Sequence, residues 1–258
     1  MTTALHKVPP RPVLTLAGHG HKKPDPAAPA HRICSPEGES ASSAATTLAI
    51  RQLAATFQPA FGRMHVLRDL VIPMYQGSAV PTARFDVALV CEAGLYLFEV
   101  KGWRNAVVYR KTSAHAVPRW FLRQHGHSLA REVKDPAWQC GRKTTHLRSL
   151  LPSELRVQYF VLLPFDGVEL EGVMPSVVVT PQDLPYIARV ARNNGRSEQG
   201  YPMLDAAAID RTLQLLTDLQ GDLTVDDHMR NCRDRNTHAP APSPSPVRQA
   251  HPGSLKLQ

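Results

Sequence analysis

Apolar residues along this chain fall into period-two runs across its middle and into 3.6-period stretches on either side. The first such stretch, Ser40–Phe57, predicts a helix with a loose apolar face of Leu48, Leu53 and Phe57, and Glu39 lies at its start, where the helix dipole favours a carboxylate. Val66–Ile72 predicts a strand. Phe85–Cys91 and Leu95–Lys101 alternate about an Ala93-Gly94 turn and predict a tight hairpin. Ala106–Tyr109 and Arg119–Leu122 are shorter strand candidates. Asp135-Pro136 opens a second helix running to about Leu151, with Asp135 as N-cap and Pro136 in the first turn. Arg156–Leu163 and Ser176–Thr180 read as strands, Gln182–Ala191 and Leu204–Leu219 as helices. Leu204, Ala208, Ile209, Leu213, Leu216 and Leu219 keep a 3.6 period, and Gly221 stands where a terminating glycine belongs. The order predicts an α/β (α+β) protein: a central mixed β-sheet flanked by helices.

The ends differ from this body. Residues 1–31 are rich in Pro, Ala, His and Lys without an apolar period, and 231–258 contain five prolines, so disordered arms are expected on either side of one domain spanning roughly 32–230. Four widely spaced cysteines (Cys34, Cys91, Cys140, Cys232) fit neither a zinc site nor a disulfide scaffold. No apolar run approaches the ~20 residues needed to span a bilayer. A soluble, cytoplasmic protein is expected.

Charge adds a direction. The formal net charge is +8, but residues 101–148 alone hold eleven Lys or Arg against Glu132 and Asp135, a net +9, so the rest of the chain is slightly acidic. A basic segment of this kind either solvates a face or attracts a polyanion such as DNA.

It begins at a candidate catalytic cluster. With a two-residue turn at Ala93-Gly94, Asp86 is expected opposite Lys101 and Glu99 diagonal to it, and the period of two puts all three on one face. Asp86 and Glu99 offer hard oxygen ligands suited to Mg²⁺ or Mn²⁺, and the backbone carbonyl of Val100 is a further candidate ligand. Lys101 is suited to orient or deprotonate a water, or to stabilise charge on a phosphate. The same pattern, D-x₁₂-E-x-K, is also common as an ordinary ion pair on a strand.

The surroundings distinguish the two. Gly38-Glu39 before a helix, Phe85-Asp86, the string Gly94-Leu-Tyr-Leu-Phe-Glu-Val-Lys-Gly-Trp103, Trp120 and Asp135-Pro-Ala-Trp-Gln139 occur in this order. Together they resemble the NERD (nuclease-related) domain, a branch of the PD-(D/E)XK nuclease superfamily, from about residue 35 to 165. The resemblance implies a restriction-endonuclease-like core and Mg²⁺-dependent cleavage of DNA. It matches Asp86 to the family's metal-binding aspartate, Glu99 and Lys101 to its ExK signature, Glu39 to its N-terminal helix glutamate, and Gln139 to a glutamine on the helix after the hairpin. Two departures, Arg84-Phe85-Asp86 in place of a Gln-Ile-Asp-His-like string and Gly102 in place of Asn, fall on substrate contacts rather than on the metal ligands.

Two other readings use the same residues: a nucleic-acid-binding module that no longer cuts, and a protein-interaction adaptor working through its arms. Trp103 and Trp120 are expected to pack rather than to stack on bases. His19-Gly-His21 and His125-Gly-His127 lack a third metal ligand nearby and read as loop histidines.

Overall fold

The computed structural model describes residues 37–113, 116–195 and 201–238. The elements in chain order are α1 (Glu37–Phe61), β1 (Met64–Pro73), β2 (Thr82–Cys91), β3 (Gly94–Val100), β4 (Ala106–Ser113), β5 (Ala116–Gln124), β6 (Ala130–Val133), α2 (Pro136–Leu150), β7 (Val157–Leu162), β8 (Val168–Glu171), β9 (Val178–Val179), α3 (Leu184–Gly195), α4 (Ala206–Gln220) and α5 (Val225–His238). The α/β class expected from the sequence is what folds, but the strands form two mixed sheets instead of one. The larger has the order β1-β2-β3-β7-β9, the smaller β6-β5-β4-β8. β1, β2 and β3 are antiparallel, whereas β7 joins β3 in parallel, a connection that needs a long crossover, here β4 to α2.

Helices cover both faces of the large sheet. On one, Ala45, Ala49, Leu53, Phe57 and Phe61 form a stripe of α1 at four-residue spacing against Val87, Leu89, Tyr96, Phe98 and Val100. Two of these anchors are alanines, which is why the apolar face of α1 reads as loose in the sequence. On the other face, Leu147 of α2 and Ile209 and Leu216 of α4 pack on Ala88, Val90, Leu95 and Leu97. A third cluster, around Trp120, Val108 and Cys140, joins the small sheet to α2.

Three expectations need correction. The hairpin turns at Glu92-Ala93, with Cys91 paired to Gly94. Gly94 is a strand residue: its φ is +119°, and a Cβ there would lie 2.4 Å from the carbonyl oxygen of Arg156. Its smallness serves that close approach to the chain entering β7, not the turn. The short strands β6 and β8 are absent from the sequence reading, because four residues are too few for a period to register. Finally, α5 runs through the boundary placed at 230 and reaches His238. Its start carries a capping signal: the Thr224 hydroxyl accepts from the Asp227 N–H, while the Asp227 carboxylate accepts from the Thr224 N–H and hydroxyl. This is a reciprocal cap.

The sheet alternation inverts where β1 and β2 pass Asp69 and Asp86. Before this point in β1, Val66 packs on the α1 side. Beyond it Leu70 and Ile72 pack on the side of α2 and α4, together with their partners Phe85 and Ala83. The register is unbroken (Arg68↔Val87, Leu70↔Phe85), yet Asp69 and Asp86 themselves are not paired. Asp69 has φ +55°, a left-handed conformation that costs a non-glycine residue about 1–3 kcal/mol. The half-turn it introduces lifts Asp86 out of the ladder.

Candidate active site

Asp86, released in this way, stands at the end of the β2–β3 ladder, one residue past the last pair, Val87↔Phe98. In that register its counterpart is Glu99, not Lys101. The turn moves by one residue and the register by two, which keeps every side chain on its expected face, so the acids are brought closer in register than the sequence reading has them. Where the ladder stops, the Val100 N–H donates to Asp86 Oδ2 at 2.8 Å. A strand residue directs its N–H and C=O to the same side, so the Val100 carbonyl is also aimed toward Asp86. The other oxygen, Oδ1, accepts from Arg84 Nη2 at 2.8 Å, and Arg84 reaches back toward Asp69 at 3.9 Å.

Glu99 is held differently. Lys101 Nζ donates to Oε1 at 2.7 Å, and Lys143 Nζ, from α2, donates to Oε2 at 2.5 Å. Lys143 also donates to the Arg84 carbonyl at 2.6 Å and lies 5.1 Å from the centre of the Phe85 ring. The Asp86, Glu99 and Lys143 side chains are only 6%, 13% and 19% exposed. Two carboxylates and three cations therefore share a nearly dry site, and each carboxylate oxygen has a donor.

The two acids titrate in opposite directions. Burial raises the Asp86 carboxyl, the adjacent Glu99 raises it further, and Arg84, Lys143 and Lys101 do not fully offset them. Burial also opposes ionisation of Glu99, but Lys101 and Lys143 outweigh it and hold that carboxyl well below the ordinary range. Lys143 is raised in turn, its desolvation outweighed by Glu99. α5 reaches the start of β2 beside the site: His228 Nδ1 lies 2.9 Å from the Thr82 hydroxyl. Burial, with the nearby Arg84 and Lys143, pushes His228 down to about 4, so its ring is neutral.

The remaining candidates are placed unevenly. Gln139 is half-buried on α2, one turn before Lys143 and on the same helix face, and forms no side-chain hydrogen bond among the described residues. Asp135 caps α2 as expected, its side chain accepting from the Trp138 N–H. Glu39 lies in the first turn of α1, but its side chain lies outside the described residues, as do His19 and His21. Trp120 is fully buried and Trp103 packs against its cluster, as expected for packing residues. Lys143 is the residue the sequence reading missed, counted there only as one charge among eleven. The signal for it in the sequence is Gln139-x₃-Lys143, which sets Lys143 one helical turn from Gln139 and on the same face.

Among the described residues no cluster of three or more His, Cys, Asp or Glu is placed to hold a metal ion, and no helix is long and apolar enough to cross a membrane. Two carboxylates nevertheless suit a hard, octahedral cation, which keeps several waters and needs only one or two protein oxygens. The like-charge contact that raises Asp86 is one that such a cation relieves.

No curated protein and no solved structure matches the chain. One family model does, that of the nuclease-related domain, over residues 43–164. That span begins inside α1, ends just past β7, and holds Arg84, Asp86, Glu99, Lys101, Gln139 and Lys143, but not Glu39. Over residues 43–164, just under half of the chain, the sequence is thus similar to the nuclease-related domain (NERD) family.

Proposed function

We propose that the chain is a metal-dependent nuclease that hydrolyses DNA phosphodiester bonds at the Asp86–Glu99–Lys101 site. The observation that carries this reading is the placement of two little-exposed carboxylates where the β2–β3 ladder ends, with one of them clamped between two ammonium groups. In the reading, Asp86, Glu99 and the Val100 carbonyl hold Mg²⁺ or Mn²⁺. The ion, when bound, supplies charge screening for the diester and acidifies a water.

The protein's own groups do the rest. Lys101, whose ammonium is anchored by Glu99 alone among the described residues, is placed to leave the carboxylate for a phosphate oxygen or an attacking water. Lys143, with a second anchor on the Arg84 carbonyl, keeps Glu99 ionised and fixed. Arg84, two residues before Asp86 on the same strand, holds Asp86 Oδ1 in place. Gln139, on the face of Lys143, is free to hydrogen-bond a phosphate at the mouth. The basic stretch 101–148 draws the DNA backbone.

The test is cleavage of linear, circular and single-stranded DNA with Mg²⁺ or Mn²⁺, beside the Asp86→Ala and Lys101→Ala variants. Cleavage lost in both supports the assignment, and cleavage unchanged in both overturns it.

One observation favours the second reading, a nucleic-acid-binding module that does not cut: all four carboxylate oxygens already have protein donors. A calorimetric Mn²⁺ titration separates the two. A binding site lost on Asp86→Ala supports the nuclease, and DNA binding with no such site supports the module.

A further inference from the structure

The helix that delivers Lys143 to the acids presents a different set of side chains to solvent. Trp138 is 59% exposed and, unlike the other tryptophans, belongs to none of the three packed clusters. The guanidinium carbon of Arg142, one turn on, lies 4.9 Å from the centre of its indole ring. The same guanidinium donates through Nη2 to the hydroxyl of Tyr75 at 3.1 Å, and Tyr75 is 49% exposed. The Tyr75 ring in turn meets the edge of His146, 5.8 Å between centres, and His146 Nε2 lies 3.0 Å from the Pro73 carbonyl. Trp138, Arg142, Tyr75 and His146 thus form a continuous strip of rings around a cation, held to both α2 and the end of β1.

Single exposed apolar residues are ordinary on a protein surface; two large rings joined through one guanidinium are a patch. Its chemistry is specific. Flat aromatic faces receive other flat rings, and a guanidinium among them receives phosphate. The strip shares α2 with Lys143, the lysine that holds Glu99. Arg142 precedes Lys143 in the chain, and Trp138 lies five residues before Lys143, roughly 7 Å along the helix axis at 1.5 Å per residue.

We propose that Trp138, Arg142 and Tyr75 form a stacking platform for an unpaired stretch of nucleic acid beside the Asp86–Glu99 site. This rests on the nuclease reading above and adds a substrate class to it. Bases within a duplex already bury their faces against one another, so a platform of this kind selects single-stranded DNA, a flap or a frayed end over an intact duplex.

The experiment measures binding of a fluorescein-labelled oligo-dT of about 15 nucleotides, and of a duplex of the same length, to the full chain without divalent metal at about 0.1 M salt. The wild type is expected to bind the single strand more tightly than the duplex. Trp138→Ala should weaken single-strand binding by roughly 5- to 100-fold, the worth of one base–aromatic stack, and leave duplex binding nearly unchanged. Tyr75→Ala should act in the same direction, and Trp138→Phe, which keeps a ring, should retain most of the affinity. Binding should also quench tryptophan fluorescence in the wild type and not in Trp138→Phe. Single-strand affinity unchanged in both alanine variants overturns the platform. If the wild type still cleaves DNA with Mg²⁺ in that case, the nuclease reading survives alone and the strip serves another partner, such as a protein. A wild type that neither binds nor cuts any nucleic acid overturns both.

Discussion

The two sides of the acidic site solve one problem with different means. On β2, Asp86 is held by a guanidinium and a backbone N–H, opposite a strained Asp69. On β3, Glu99 is held by two ammonium groups, one from its own strand and one from α2. Both carboxylates are removed from water, so burial opposes ionisation in each. The outcome is decided by the charge facing it: two adjacent ammoniums hold Glu99 ionised, while Asp86, with one guanidinium at contact and Glu99 beside it, is pushed up. Two like residues a strand apart are thereby suited to different tasks. Glu99 is a fixed negative charge, and Asp86 is a carboxylate whose ionisation gains most from an added cation.

The sharpest way to break this comparison is through activity. In the nuclease reading both acids are required, so Asp86→Ala and Glu99→Ala should each lower DNA cleavage by at least about 100-fold, measured as initial nicking rate on supercoiled plasmid. Activity retained in one of them would leave a single acid carrying the site.

A smaller effect separates the lysines. Lys143→Met removes one of the two ammoniums on Glu99 and a hydrogen bond to the Arg84 carbonyl, and should lower stability by about 1–3 kcal/mol in urea unfolding. Lys101→Met removes one contact and should cost less. Equal losses would mean that Lys143 has no special hold on Glu99.

The pH dependence should differ in sign. Because the Asp86 carboxyl is raised in the folded protein, its contribution to stability is full below its unfolded pKa, near 3.8, and is lost as pH rises through the raised value. Asp86→Asn should therefore gain on the wild type as pH rises from 4 toward neutrality. Glu99 is lowered, so its contribution is present above its unfolded pKa, near 4.5, and is lost as pH falls. Glu99→Gln should be less stable than the wild type at neutral pH, and the gap should close in acid. Urea midpoints of the three proteins across pH 3–7 check both slopes; parallel curves would erase the distinction between the acids.

The smallest effect belongs to Gln139. Its side chain has no hydrogen-bond partner among the described residues, so Gln139→Ala should change stability by less than about 0.5 kcal/mol while slowing cleavage, measured on the same plasmid. A large loss of stability would assign it to packing instead.

Much of this is legible in the sequence. The hairpin, the cap at Asp135, and α4 with its terminal Gly221 follow from alternation, capping chemistry and a 3.6 period, and all three are present. The face shared by Asp86, Glu99 and Lys101 was legible too, because a shift of two residues in register leaves a period of two unchanged. The shift itself was not. Gly94 looks like a turn glycine, and only the approach of Arg156 from a distant part of the chain explains why it is a strand residue.

The sequence by itself therefore determined the class of the fold, the elements long enough to express a period, and which acids and lysine lie on one face. These are local properties, set by neighbours within a few residues. Tertiary structure decided what is non-local. It split the strands into two sheets, put a left-handed Asp69 opposite Asp86, and brought Lys143 44 residues along the chain onto Glu99. A lysine in a run of eleven basic residues looks like surface charge. It became part of the site only because α2 crosses the large sheet at the point where the ladder between β2 and β3 ends.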